Sequence, residues 1–258
     1  MKKTSKIIII LIIMACVVAL VCITLSQPKG ELAYELSHDG DYYTVISIGT
    51  VTAKEIVIPA EYEGLPVKAI ENCAFENCTQ ITKVTISEGV DHIGVFAFGG
   101  CTSLVEVNIP NSVTHLEDGL FSGCTSLIKV TLHDNITEIG QSVFQDCTSL
   151  KDIKLPASIK AVSGQLFRGC TALESVIIPD GVQTIEAFSF SGCKSLYEIV
   201  IPDSVVSIKT RTFESCSSLV SVEFDGTKAQ WNSIKKNSQW NVGAGKYTVY
   251  CSDGELAE

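Results

Sequence analysis

Cysteine recurs every 23 residues, at Cys78, Cys101, Cys124, Cys147, Cys170, Cys193 and Cys216. A phenylalanine stands three residues before each one, from Phe75 and Phe98 through Phe121, Phe144, Phe167 and Phe190 to Phe213. Three residues after each cysteine comes Ile81, Leu104, Leu127, Leu150, Leu173, Leu196 or Leu219. A Val or Ile follows three further on, and another large apolar residue two beyond that, as in Val107 with Ile109 and Val176 with Ile178. Chance does not place the same spacing seven times, so the chain is built of stacked copies of one unit.

Each part of the unit has a physical meaning. Apolar residues at period two, as in "LVEVNIP", make a short strand with one buried face. Pro110, Pro156, Pro179 and Pro202 follow it at once and end the ladder there, because proline has no N–H. A polar turn such as "PDGV" comes next, then a second apolar pair such as Val182 with Ile185. The i,i+3 spacing of Phe and Cys fits a single helical turn that presents both side chains inward. One coil of this kind cannot bury its own apolar edge, whereas a stack can, by pairing each strand with the next. Phe, Cys and Leu then form continuous interior spines. In-register cysteines lie about 4.8 Å apart with parallel Cβ vectors, a poor geometry for a disulfide. Their number is odd, so the reading favours small buried thiols.

The unit "F-x-G-C-T-S-L-x-x-V-x-I-P" resembles the BspA-like class of leucine-rich repeats found in bacterial surface proteins. "EIVIPAEYEGLPVKAI" at Glu55–Ile70 resembles that family's entry repeat, with five extra residues between Pro59 and Ile70. The resemblance runs from Leu32 to Gly254. It implies a mainly β, right-handed leucine-rich-repeat solenoid of parallel stacked strands with short helical turns, exported and of a kind associated with adhesion and ligand binding. It carries over no catalytic residue.

The two ends depart from the period. "LAYELSHDGDYYTVISI" holds two alternating runs around a His-Asp-Gly-Asp turn, a hairpin signal. It is expected to cap the first coil, with residues 31–58 as cap and first strand and 59–224 as repeats. Residues 225–258 form the C-terminal cap. There Thr227 stands three before Gln230, a capping-box spacing, and "YTVY" reads as a last strand. The only tryptophans, Trp231 and Trp240, lie here. They either cover the last coil or offer rings to a sugar or the cell wall. Residues 1–30 place Lys2, Lys3 and Lys6 before an uncharged run from Ile7 to Leu25. That run is about long enough to cross a bilayer as a helix, with the repeats outside the cell. An uncleaved anchor, a cleaved signal peptide ending near Ser26 and a lipoprotein signal ending at Cys16 are the readings open to it.

Net charge is −10, and once the three N-terminal lysines are set aside 29 acidic residues face 16 basic ones. Such a surface is a poor partner for nucleic acid. No P-loop, G-x-S-x-G, HExxH or GxGxxG motif occurs, and no cofactor is implied. His92, His115 and Glu138 share one register in successive coils and make a weak candidate metal row on an outward face. Lys83, Glu106, Lys129 and Asp152 alternate in sign at another register, which fits coil-to-coil pairing. The outward strand positions are mostly polar, but Ile177 and Val200 are neighbours in adjacent coils. Tyr197 and Val220 stand at the starts of neighbouring strands. These four are the candidate ligand-binding residues, because exposed apolar patches mark binding sites. The sequence therefore reads as a non-enzymatic binding module for a protein or glycan outside the cell. A surface spacer is the alternative, though eight stacked strands span only about 34 Å. An enzyme with a site on the caps is the remaining alternative.

Overall fold

A computed structural model describes residues 30–257. The expected N-terminal segment therefore lies outside the described residues. The chain forms a β-solenoid whose coils stack in parallel, and each coil is named below by its cysteine. Strands Glu55–Ile58, Lys83–Ile86, Glu106–Asn108 and Lys129–Thr131 pair in parallel as one ladder. Strands Ser175–Ile177, Glu198–Ile201, Ser221–Phe224 and Thr248–Cys251 continue as a second parallel ladder. Within the repeats partners differ by 23 in number, as Ile199 with Val222 or Val84 with Val107, while the entry strand pairs at an offset of 28 and the last strand at 27. The second apolar pair of each unit makes a shorter ladder on another side, for example Ala161–Val162, Thr184–Ile185 and Ser207–Ile208.

The Phe-x-x-Cys segment is a hydrogen-bonded turn and not helical, which corrects the sequence expectation. Each cysteine N–H donates to the phenylalanine carbonyl of its own turn at 3.0–3.3 Å. Helix cannot propagate because two positions per coil have φ > 0. One is two residues before the phenylalanine, for example Phe96, Gln165 and Phe188; the other is immediately before the cysteine, as at Gly169 (+74°) and Gly192 (+77°). Left-handed backbone strains residues that carry a Cβ, which accounts for the recurring Gly-Cys. Asn77, Asp146 and Ser215 hold the same position in other coils. A Cβ on Gly192 would meet nothing closer than 3.6 Å, so backbone strain is its only cost. Gly192→Ala is expected to destabilise by about 1–2 kcal/mol, read as a shift of the urea midpoint.

These turns stack as a third ladder. Phe121 N–H donates to Val143 O, Phe144 N–H to Leu166 O and Phe167 N–H to Ser189 O, at 2.7–3.0 Å. Inside it the seven phenylalanines are fully buried, with successive ring centroids 5.1–5.9 Å apart and planes within 22° of parallel. From Cys101 to Cys216, each thiol donates to the phenylalanine carbonyl of the preceding coil at 3.0–3.2 Å. A carbonyl oxygen has two lone pairs, and here one takes the cysteine N–H and the other the next coil's thiol. All nine cysteines of the described residues are free. The thiols are thus donors as well as small hydrophobes.

The strand ladder breaks once where the sequence reading expects continuity. Residues 151–155 of the Cys147 coil form no strand, although Ile153 and Leu155 still point inward and are buried. The outward residues there are Asp152 and Lys154, which suit a strand poorly compared with Thr85 or Val200 in other coils. The turn ladder and the phenylalanine stack run through this coil without interruption and hold it in place.

Both ends are closed. Ala33–Leu36 and Tyr43–Ser47 form the expected antiparallel hairpin. Its Tyr34 stacks on Tyr62 at 3.8 Å, fixing the hairpin to the entry repeat. At the other end helix Lys228–Ser233 carries the expected capping box between Thr227 and Gln230. Trp231 and Trp240 are buried, and Trp240 meets the last ring of the stack, Phe213, edge-on at 5.8 Å. Both tryptophans thus cover the last coil and leave no exposed ring for a sugar. A final strand, Gly254–Ala257, folds back antiparallel on Thr248–Cys251; the sequence reading lacked it, although Asp253-Gly254 is an ordinary turn signal.

Candidate functional site

The four apolar residues singled out on the strand face lie together. Ile177 pairs directly with Val200 across adjacent coils, and Val220 N–H donates to Tyr197 O at 3.0 Å. Ile177 is 68% exposed, Val220 57% and Tyr197 45%, while Val200 is half-buried. Ile177 and Val200 stand outward because the alternate strand residues, Val176 and Ile199, occupy the core, and Tyr197 and Val220 are exposed just before their strands begin. The same row continues through Glu223, opposite Val200, to Tyr250, opposite Glu223. Tyr250 is 42% exposed and extends the apolar face to the C-terminal cap. It was missed in the sequence because it falls outside the 23-residue period; its signal was the alternating run Thr248–Cys251.

The arrangement offers contact area and little chemistry. Tyr197 and Tyr250 each present an amphipathic ring on a rigid sheet, the kind of group favoured at binding hot spots. Ser221 Oγ donates to Glu223 Oε1 at 2.8 Å, which fixes the carboxylate between the two tyrosines' strands.

The histidine row is exposed, as expected, but its members turn to different partners. His115 Nε2 lies 3.5 Å from a Glu138 carboxylate oxygen, and His92 Nδ1 lies 4.0 Å from Glu117. His115 Nδ1 is 2.8 Å from Thr114 Oγ1. The strand of His92 pairs with Leu65–Ile70 and the strand of His115 with that of Glu138, so the row is split between two ladders. Among the described residues no group of three or more His, Cys, Asp or Glu side chains is placed to hold a metal ion. In the charged row, Lys83 meets Glu106 at 3.4 Å as the alternation requires. Among the described residues no helix is long and apolar enough to cross a membrane.

Residues 68–170 and 160–242 match the BspA type leucine rich repeat region in 6 copies. Comparison with curated proteins returns no match. Among solved structures, the leucine rich repeat protein of T. pallidum is 28% identical, over 83% of this chain and 96% of that one, with a TM-score of 0.68. A leucine-rich repeat protein from Bacteroides ovatus is 25% identical, over 85% of this chain and 70% of that one, with a TM-score of 0.56. A leucine rich cell surface protein from Faecalibacterium prausnitzii shares the fold at 20% identity, over 81% of this chain and 97% of that one, with a TM-score of 0.52.

Proposed function

The chain belongs to the BspA-type leucine-rich repeat family, and from that premise we propose that it is an exported binding module, tethered to the cell by its N-terminal segment, whose strand face holds a protein or glycan outside the cell. The observation that carries this reading is the exposed cluster of Ile177, Tyr197, Val200 and Val220 in adjacent coils of one ladder, whereas the exposed apolar residues Val57 and Ile128 stand apart on the other ladder. Repeat families vary exposed positions while the interior stays fixed, so apolar residues on the outside of a strand call for a contact. Two further facts support export: one structural relative is described as a cell surface protein, and Lys2, Lys3 and Lys6 precede the uncharged run Ile7–Leu25. The repeat serves as a scaffold, so the proposal assigns the chain binding in preference to catalysis.

Two measurements test this. Full-length chain in mild detergent, screened against protein and glycan arrays, is expected to capture a ligand that Tyr197→Ala with Val200→Ser weakens about tenfold or more, as truncation of a tyrosine anchor does. Unchanged affinity in a variant that melts normally removes the patch as the site. Protease added to intact cells is expected to digest the repeats while the N-terminal fragment stays with the membrane. Protected repeats would end the case for export, and a mature protein free in the medium would end the case for the tether.

A further inference from the structure

The break in the strand ladder opens a cleft of about 710 Å³ beside the apolar row. Its apolar lining includes Ile153, Leu155, Ile177, Ile178 and Pro179. The polar lining includes Asp152, Asp180, Asp225 and Lys154. That volume is within the usual range for ligand pockets, about 300–1,000 Å³.

The cleft is edged by backbone with no partner. Ladder residues turn their N–H and C=O together to one side, alternating along the strand. Ile178 N–H donates onward to Val200 O at 3.0 Å. By that alternation Ser175 and Ile177 turn theirs back, toward residues 151–155. There Glu174 N–H reaches Lys151 O at 2.9 Å, and this is the last bond of the ladder. Among the described residues no backbone hydrogen bond joins residues 152–155 to either neighbouring coil. A partner that supplies the missing N–H and C=O groups at strand spacing completes the ladder, which is how sheets take up extended peptides.

The charges select the occupant. Asp152, Asp180 and Asp225 face one lysine, Lys154, and none of the four is in an ion pair. We propose that the cleft binds a short extended peptide in which basic and apolar residues alternate, paired by its backbone to Ser175 and Ile177 and by its cations to these carboxylates. The proposal rests on the reading of this face as a binding surface and names the class of partner.

The test uses full-length chain in mild detergent and the probe peptide acetyl-Lys-Val-Lys-Val-Lys-amide. In the free protein the Ser175 and Ile177 amides are expected to exchange with deuterium about tenfold or more faster than those of Glu198 and Val200, one coil on, because exchange follows local pairing. The peptide is expected to bind saturably and to slow those two amides selectively. Asp180→Asn with Asp225→Asn is expected to weaken it severalfold, and methylation of alternate peptide amides to abolish it. The proposal is overturned if Ser175 and Ile177 are protected in the free protein. Equal binding of the methylated peptide, or of its Glu-Val-Glu-Val-Glu counterpart, overturns it too. A chain that loses its array ligand with Tyr197→Ala yet ignores the basic peptide sinks this proposal alone and leaves the binding-module reading standing.

Discussion

Raising the pH above 9 is expected to unfold this protein steeply, through its interior thiols. Burial pushes Cys101 and Cys216 up to about 12 from an ordinary thiol value of 9.0, and pushes Cys124, Cys147, Cys170 and Cys193 up as well. The native state therefore keeps these protons after the unfolded chain has released them. Stability is intact below pH 9 and falls as pH rises from 9 toward 12. Each thiol removes about 1.4 kcal/mol per pH unit in that window. Six together remove about 8 kcal/mol per unit, against a total of about 5–15 kcal/mol for an ordinary domain. The transition is thus expected within about two units above pH 9.

Two readouts identify the cause. Beyond the thiolate absorbance of accessible cysteines such as Cys73, a further rise is expected together with the loss of circular dichroism, since the six buried thiols ionise only on unfolding. Cys147→Ala is expected to make the pH slope of stability shallower by one proton, and Cys147→Ala with Cys170→Ala by two. The net charge of −10 also grows as lysines lose their protons, but that repulsion is the same in the variants. A slope unchanged by the substitutions, or ionisation of the six buried thiols in a chain that stays folded, would show that the spine does not control alkaline stability.

Most of the interior was legible because a solenoid repeats one environment. A spacing of 23 fixes which residues stack, and seven copies make Phe, Cys and Leu readable as spines. The hairpin and the Thr227 capping box were legible from local signals that do not depend on the repeat. Three features were not. Most of the φ > 0 residues two before the phenylalanines were hidden because Cys73, Phe96, Ser142, Gln165, Phe188 and Arg211 are not glycine; N–H bonds to the next coil hold all of these but Arg211 there. The thiol bond to the carbonyl one coil back depends on a three-dimensional stack, and cysteine spacing alone does not reveal it. The gap at residues 151–155 was masked because Ile153 and Leu155 keep the strand pattern while the backbone leaves the ladder. The candidate face was half legible. Ile177 and Val200 followed from the period, whereas Tyr250 and the cleft required the cap and the gap.

Phe144→Ala is expected to cost about 3–5 kcal/mol, the range for emptying a buried phenylalanine site. Its ring is fully buried between Phe121 at 5.9 Å and Phe167 at 5.8 Å. The neighbouring rings cannot close the space, since each is fixed by its own turn and by the stack beyond it. The position has a second consequence. Phe144 belongs to the Cys147 coil, where residues 152–155 contribute no backbone bonds to the strand ladder. That coil is held to its neighbours by the ring stack, the turn bonds and the thiols, and to the following coil also by the short pairing of Ala161–Val162 with Thr184–Ile185. In a stack whose stability is a sum over neighbouring contacts, weakening this junction uncouples the coils before it from those after it. Phe144→Ala is therefore expected to unfold in two steps in urea, while Phe98→Ala, flanked by strands that pair, keeps one. Fluorescence of Trp231 and Trp240 reports the C-terminal part, and circular dichroism reports the whole. Coincident transitions for Phe144→Ala, at the midpoint of the unsubstituted chain, would show that the junction is held by contacts other than this ring.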